Sequence, residues 1–161
     1  MNQAFLENTD RKSAEVSLPG YSWRHIVTFE ETNVVGNVYY VRHIAWQGSC
    51  REMFLRDHAP SVLNDLSADL RLVTLKCSCE YFSELHAFDE IEITMRLRQL
   101  VQNRISLKFE YHRINSETPV LFARGAQDLG CMQVKGGGLV PVEPPKALAQ
   151  ALIPFGGATQ G

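Results

Sequence analysis

The groups in this chain able to do chemistry are five histidines, four cysteines, and a cluster of acid, amide and basic residues between Phe29 and Arg51. The histidines (His25, His43, His58, His86 and His112) are scattered. Cys50, Cys77, Cys79 and Cys131 form no C-x-x-C pair and complete no zinc spacing, so no metal is expected. They read as small buried hydrophobes. Cys50, one position from Arg51, has a neighbour that could hold a thiolate; a packed helix cysteine is the simpler role. No G-x-S-x-G surrounds a serine, and Gly48-Ser49-Cys50 lacks the second glycine. G-x-G-x-x-G and H-E-x-x-H are also missing.

What remains is FEETNVVGNVYYVRHIAWQGSCRE, residues 29–52. Here a strand end, an Asn/Gly turn and the start of a helix meet. Gly36 allows a tight approach to the helix start. The first N–H groups of a helix lack intrahelical partners and carry the positive end of its dipole. A carbonyl oxygen aimed at them is polarised, and one such donor is worth roughly 3 kcal/mol, about a hundredfold in rate. That geometry suits acyl transfer. Asn33 and Gly36 equally serve as plain turn residues.

The elements around this segment follow from periodicity. Residues 1–20 are polar and aperiodic and read as a loose arm. Ser22–Phe29 reads as a strand with Trp23, His25, Val27 and Phe29 on one face. Val38 to about His58 reads as a helix, ended by Pro60, with a loop over 59–68. Four long strands follow. Leu70–Leu85 alternates through Arg71, Val73, Leu75, Cys77, Cys79 and Tyr81. Glu90–Leu100 places Ile91, Ile93, Met95 and Leu97 on one side, and Arg104–Ile114 does so with Ile105, Leu107, Phe109 and Tyr111. Pro119–Val134 is less regular. Such runs predict an antiparallel sheet buried on one side. Residues 136–145 carry three glycines and three prolines and read as a flexible exit, with a short helix possible at 146–153. The fold class is α+β, with one long helix covering a curved sheet of about five strands. Its long edges favour pairing between subunits.

The 161 residues fit one domain, read as an arm (1–20), a core (21–135) and a Gly/Pro-rich tail (136–161). Apolar residues are 45% and charged residues 21%, as in globular proteins. A net charge of -2 argues against nucleic-acid or anionic-membrane binding. No apolar run is long enough to span a bilayer, and no secretory signal opens the chain, so a cytoplasmic protein is expected.

The segment resembles the signature of the hot-dog-fold acyl thioesterases of the 4-hydroxybenzoyl-CoA type. Phe29, Thr32, Gly36, Val38-Tyr39-Tyr40, Trp46 and Arg51 carry the likeness, with Tyr81 and Asp89 further on. It is most similar to the thioesterases of enediyne polyketide pathways, through T-N-V-V-G-N-V-Y-Y and W-Q-G-x-C-R-E. The resemblance covers roughly residues 21–135. It implies a hot-dog sheet wrapped around the helix, a homodimer joined edge to edge with the site at its seam, and commonly a homotetramer. By the same likeness no cofactor is needed, and the thioester carbonyl sits against the Tyr40 backbone N–H. The substrate would be a polyene acyl chain on the phosphopantetheine arm of an acyl carrier domain.

Two departures from that pattern matter. The turn aspartate of the 4-hydroxybenzoyl-CoA type is Asn33 here, and the helix glutamate of other relatives is Gly48. An amide cannot take a proton, and Arg51 stays charged. Of the remaining acids, Glu31 and Glu52 are better suited to salt-bridge or solvated roles. The expectation is hydrolysis without a protein acid or base. Helix-start N–H groups polarise the thioester, Asn33 positions water or the carbonyl, and Arg51 stabilises negative charge. A β-keto substrate would itself be activated, and its product could lose carbon dioxide unaided. Arg51 lies about 16 Å along the helix from Tyr40. Gly48 either leaves room for an acyl chain or allows close helix–strand packing. Val35, Tyr39, Tyr40, His43 and Ile44 are candidate tunnel or mouth residues. Alternatives are an acyl-CoA thioesterase of primary or aromatic metabolism, a non-catalytic acyl-binding hot-dog protein, a dehydratase of this fold, or an NTF2-like cone.

Overall fold

The computed structural model describes residues 19–156. Most of the expected N-terminal arm, residues 1–18, lies outside the described residues. The chain runs β1 (Tyr21–Ile26), a 3-10 turn (Phe29–Glu31), α1 (Val41–His58), α2 (Pro60–Ser67), β2 (Leu70–Tyr81), β3 (Glu90–Val101), β4 (Arg104–Arg113), β5 (Val120–Lys135), β6 (Gly138–Pro141), α3 (Lys146–Leu152) and a closing 3-10 turn (Ile153–Phe155). The strands form one antiparallel sheet in the order β1-β3-β4-β5-β2, and β6 pairs with β5. This is the hot-dog fold, with the sheet curled around α1.

The alternation read in the sequence is realised where both neighbours of a strand are present. Ile91, Ile93, Met95 and Leu97 of β3 are buried, as are Ile105, Leu107, Phe109 and Tyr111 of β4. They pack with Trp46, Cys50, Phe54 and Leu55, the inward face of α1. Burial of that face, at roughly 25 cal/mol per Å² of apolar surface, is what fixes the helix against the sheet.

Several expectations need correction. The first strand stops at Ile26, and Phe29 enters a 3-10 turn with 72% of its surface exposed. Helix α1 starts at Val41 rather than Val38, because Val38 is held extended by a bridge to Thr32 and by its N–H donating to the Leu85 carbonyl at 2.8 Å. Residues 59–68 are mostly helix, not loop. Pro60 stops α1 and also opens α2, since its fixed φ suits a first helical turn. The expected flexible exit holds a hairpin. Gly136 and Gly137 take φ of +55° and +79°, the left-handed pair of a two-residue turn, and Lys135 faces Gly138 across it. The short helix at the end is present as α3, with Leu148 and Leu152 buried.

Strand β2 also differs. Leu75 and Cys77 are exposed, so Cys77 is not a core residue, and Cys79 is only half-buried. Among the described residues β2 is an edge strand, with β5 on one side and no strand on the other. Its pairing shifts register between Thr74 and Lys76.

Candidate functional site

The turn before α1 is built from its own amide groups. Gly36 N–H donates to the Asn33 carbonyl and Asn33 N–H to the Asn37 carbonyl, both at 2.9 Å. The Asn33 side-chain Oδ1 accepts the Val35 N–H at 3.0 Å, an Asx turn. Gly36 closes the turn at φ +91°, which a Cβ would resist. Asn37 then bridges to His86, so the turn is tied to the segment after β2.

Behind the turn lies Glu31, 8% exposed. Its carboxylate accepts the Thr28 N–H, Trp46 Nε1–H and a His25 Nε2 contact, each at 2.8 Å. Burial pushes its pKa up, but these bonds outweigh burial and hold it below the ordinary glutamate value. Glu31 is thus an anchor between the turn and the helix, the salt-bridge role rather than direct chemistry.

The start of α1 is held by tyrosines from the sheet. Tyr81 Oη donates to the Tyr40 carbonyl and Tyr111 Oη to the His43 carbonyl, each at 2.8 Å. Tyr40 is the N-cap and no side chain caps the helix. A cavity of about 300 Å³ opens at this uncapped end, lined among others by Asn37, Tyr40, His43, Tyr81 and Glu84. His43 is 3% exposed and packs edge or tilted against Trp46, Tyr81, Tyr111 and Phe122. Burial pushes its pKa down to about 4, with the Tyr40 main chain opposing, so the ring is neutral at pH 7. Burial pushes the Tyr81 hydroxyl up to about 12, and it serves as a donor.

Arg51 lies elsewhere on α1. Its Nη1 donates to Gln127 Oε1 of β5 at 2.8 Å, and it lines a separate cavity of about 440 Å³ with Glu52, Leu55 and Val73. Tyr40, Ile44, Gly48 and Arg51 still fall within an ~80° sector of the helix, so they form one stripe. A Cβ at Gly48 would meet nothing within 4 Å. Tyr39 and Val35 are exposed on the outer side, and neither lines the cavity at the helix start. Cys50 is fully buried and its thiol is pushed up to about 12 by burial, which removes the thiolate reading. Among the described residues, no His/Cys/Asp/Glu group is placed to hold a metal, and no helix is long and apolar enough to cross a membrane.

The structure therefore brings together Tyr40, His43, Asn37 and Tyr81. It leaves Asn33 bonded within its turn and Arg51 three helical turns away. Asn37 was not singled out by residue type. Its main chain bridges to His86, and the residue lines the cavity.

Comparison with known proteins gives the family and the fold. The model of the thioesterase-like superfamily matches residues 27–152. Among solved structures, the dynemicin thioesterase, described with a bound polyene, is similar at 46% identity and a TM-score of 0.83, covering 86% of this chain and 98% of that one. A 1,4-dihydroxy-2-naphthoyl-CoA thioesterase from Synechocystis shares the fold at 20% identity and a TM-score of 0.73, covering 83% and 95%. A 4-hydroxybenzoyl-CoA thioesterase does so at 14% and 0.71, covering 83% and 98%. No curated protein matches.

Proposed function

The chain belongs to the thioesterase-like superfamily and is a thioester hydrolase, and on that premise we propose that it releases a polyene, β-keto polyketide chain from the acyl carrier domain of an enediyne polyketide synthase. The observation that carries the chemistry is the cavity at the uncapped start of α1. A thioester carbonyl placed there meets unpaired N–H groups and the positive helix end. The 46% identity to a polyene-binding thioesterase supports the choice of substrate. A conjugated chain suits the aromatic and aliphatic surroundings of this end, and the stripe through Ile44 and Gly48 gives it a path along the helix.

In this reading the Tyr40 N–H polarises the carbonyl, Asn33 shapes the turn beside it, and Arg51 supplies positive charge. Within one chain Arg51 is too far from Tyr40 to do so. Pairing two β2 edges antiparallel would set two α1 helices side by side in opposite directions. Arg51 of one copy then approaches the helix start of the other. The open edge of β2, with Leu75 and Cys77 exposed, supports a homodimer of this kind, with a homotetramer as its further assembly. The protein would act in the cytoplasm without a cofactor.

Rates with one acyl chain presented on a carrier domain and on coenzyme A test the substrate. The expected result is a kcat/KM at least tenfold higher on the carrier. Equal values would point to an acyl-CoA thioesterase instead. Arg51→Ala should lower turnover; wild-type turnover in both Arg51→Ala and Asn33→Asp would remove these two residues from the mechanism.

A further inference from the structure

Among the described residues, Arg24, Arg42, Arg56 and Arg96 each form an ion pair with a carboxylate. Arg51 forms none. Its Nη1 donates instead to a neutral acceptor, Gln127 Oε1, at 2.8 Å. Burial pushes its pKa down, and the charge of exposed Glu52 opposes this. A guanidinium carries donors on every nitrogen. Nε and Nη2 of Arg51 have no partner among the described residues, and neither is sealed from solvent.

Gln127 is as unusual on its own strand. It lies on the inner face of β5, 5% exposed, opposite Leu107 of β4 and Cys77 of β2. Leu129, the next inward residue, is buried as well. An amide buried among apolar side chains costs free energy that a hydrophobic residue of similar volume would not. What it holds explains its place. Arg51 lines the open cavity of about 440 Å³ on one side and an apolar gap in the core, with Leu107, Leu129 and Leu152, on the other. Without an acceptor on the sheet, the long side chain is free to turn into the open cavity and its water. With a carboxylate there, its charge would be cancelled. An amide holds the group and leaves the charge standing.

We propose that Gln127 is a positioning residue for Arg51: its neutral amide fixes the guanidinium against β5 with the charge uncancelled, and leaves Nε and Nη2 open to the negative charge that forms on the thioester. This rests on the role given to Arg51 in the thioesterase reading. It extends that role to a residue far outside the Phe29–Arg51 segment. No bond or proton changes at Gln127 itself.

The test compares Gln127→Met, Gln127→Glu, Arg51→Ala and the double variant of Arg51→Ala with Gln127→Met against wild type. The substrate is an acyl pantetheine thioester, and urea midpoints check folding. Gln127→Met keeps the volume and removes the acceptor. It should lower kcat about tenfold with KM within about threefold, since a group placed for the transition state is lost rather than a binding contact. Gln127→Glu keeps the shape and strengthens the bond to Arg51 but cancels its charge. Its kcat should fall about as far as that of Arg51→Ala, at an unfolding midpoint no lower than that of Gln127→Met. A residue that only supported the fold would leave this variant active. In the Arg51→Ala background, Gln127→Met should change kcat by less than about twofold, because the two residues act as one unit.

Should Gln127→Met fail to fold, Gln127→Glu carries the test alone. A wild-type kcat in either Gln127 variant overturns the proposal. So does a loss from Gln127→Met that is as large without Arg51 as with it. Arg51→Ala at the wild-type rate removes the role of Arg51 and the proposal with it, whereas a slow Arg51→Ala beside a wild-type Gln127→Met removes Gln127 alone. If wild type cleaves no thioester, the thioesterase reading falls and takes the proposal with it.

Discussion

Trp46 Nε1 donates to Glu31 Oε1 at 2.8 Å, joining the first buried aromatic of α1 to the 3-10 turn fifteen residues earlier. The same carboxylate takes the Thr28 N–H and His25 Nε2. Three partners converge on one buried acid, and the Tyr39 N–H donates to its main-chain carbonyl at 2.9 Å. The helix start therefore inherits its position from Glu31. Glu31→Gln keeps the shape but loses the charge and presents N–H where an acceptor is needed. It should lower unfolding stability by about 2 kcal/mol, read from urea midpoints at constant m-value. A change under about 0.5 kcal/mol would remove Glu31 as the anchor.

Acid should weaken the fold through two groups acting in one direction. Glu31 has a folded pKa below its ordinary value, so its stabilisation is present above that value and is lost as pH falls through it. His43 is depressed from 6.5 to about 4 by burial. Between those values the unfolded chain binds a proton that the folded chain refuses, so stability declines as pH falls across that window, by roughly 3 kcal/mol in full. Thermal midpoints measured from pH 7 to pH 5 should therefore drop in wild type and drop less in His43→Phe. Parallel slopes would show that the imidazole titrates normally.

How much of this was legible in the sequence depended on whether the chain alone decides the environment. Ile91 to Leu97 and Ile105 to Tyr111 alternate because both sides of their strands are filled by this chain, and the structure buries them as expected. Leu75 and Cys77 alternate too, yet they are exposed because β2 has no second neighbour among the described residues of one chain. Pro60 carries two meanings, a stop for α1 and a first turn for α2, and the 8 residues of α2 are too few for helical periodicity to signal the second. The Asn/Gly turn was placed correctly, and the start of α1 came out three residues early. A tertiary bond, Val38 N–H to the Leu85 carbonyl, holds that stretch extended. That Asn37, His43 and Tyr81 line one cavity was beyond reach, since it needs the segment after β2 brought against the start of α1.

Gly48 separates space from packing. A Cβ there meets nothing within 4 Å, so close helix–strand packing is not the reason for glycine in this chain. Gly48→Ala should raise stability by about 1 kcal/mol through helix propensity. Gly48→Leu should cut turnover of long acyl chains at least tenfold more than that of short ones, as measured with a ladder of acyl pantetheine thioesters. An equal effect on all lengths would detach the Ile44–Gly48 stripe from the acyl path.

Asn33→Ala removes the acceptor for the Val35 N–H and should destabilise the turn by about 1 kcal/mol. Asn33→Asp keeps an acceptor at the same place and should retain the turn. Chemical-denaturation curves of the two variants check the difference. If Asn33→Asp is as destabilised as Asn33→Ala, the Asx bond is not what holds the turn.

The central claim is that the start of α1 is a site for hydrolysing a carrier-bound polyketide thioester. Its most direct measurement is intact-protein and small-molecule mass analysis of a polyene β-ketoacyl carrier domain incubated with this protein. The carrier is predicted to lose the acyl mass and return to its free phosphopantetheine form. The chain should appear in solution as the β-keto acid or its decarboxylated methyl ketone, and Arg51→Ala should slow its release. A carrier that stays fully loaded while the protein binds the chain would contradict the account and make this helix start an acyl-binding site.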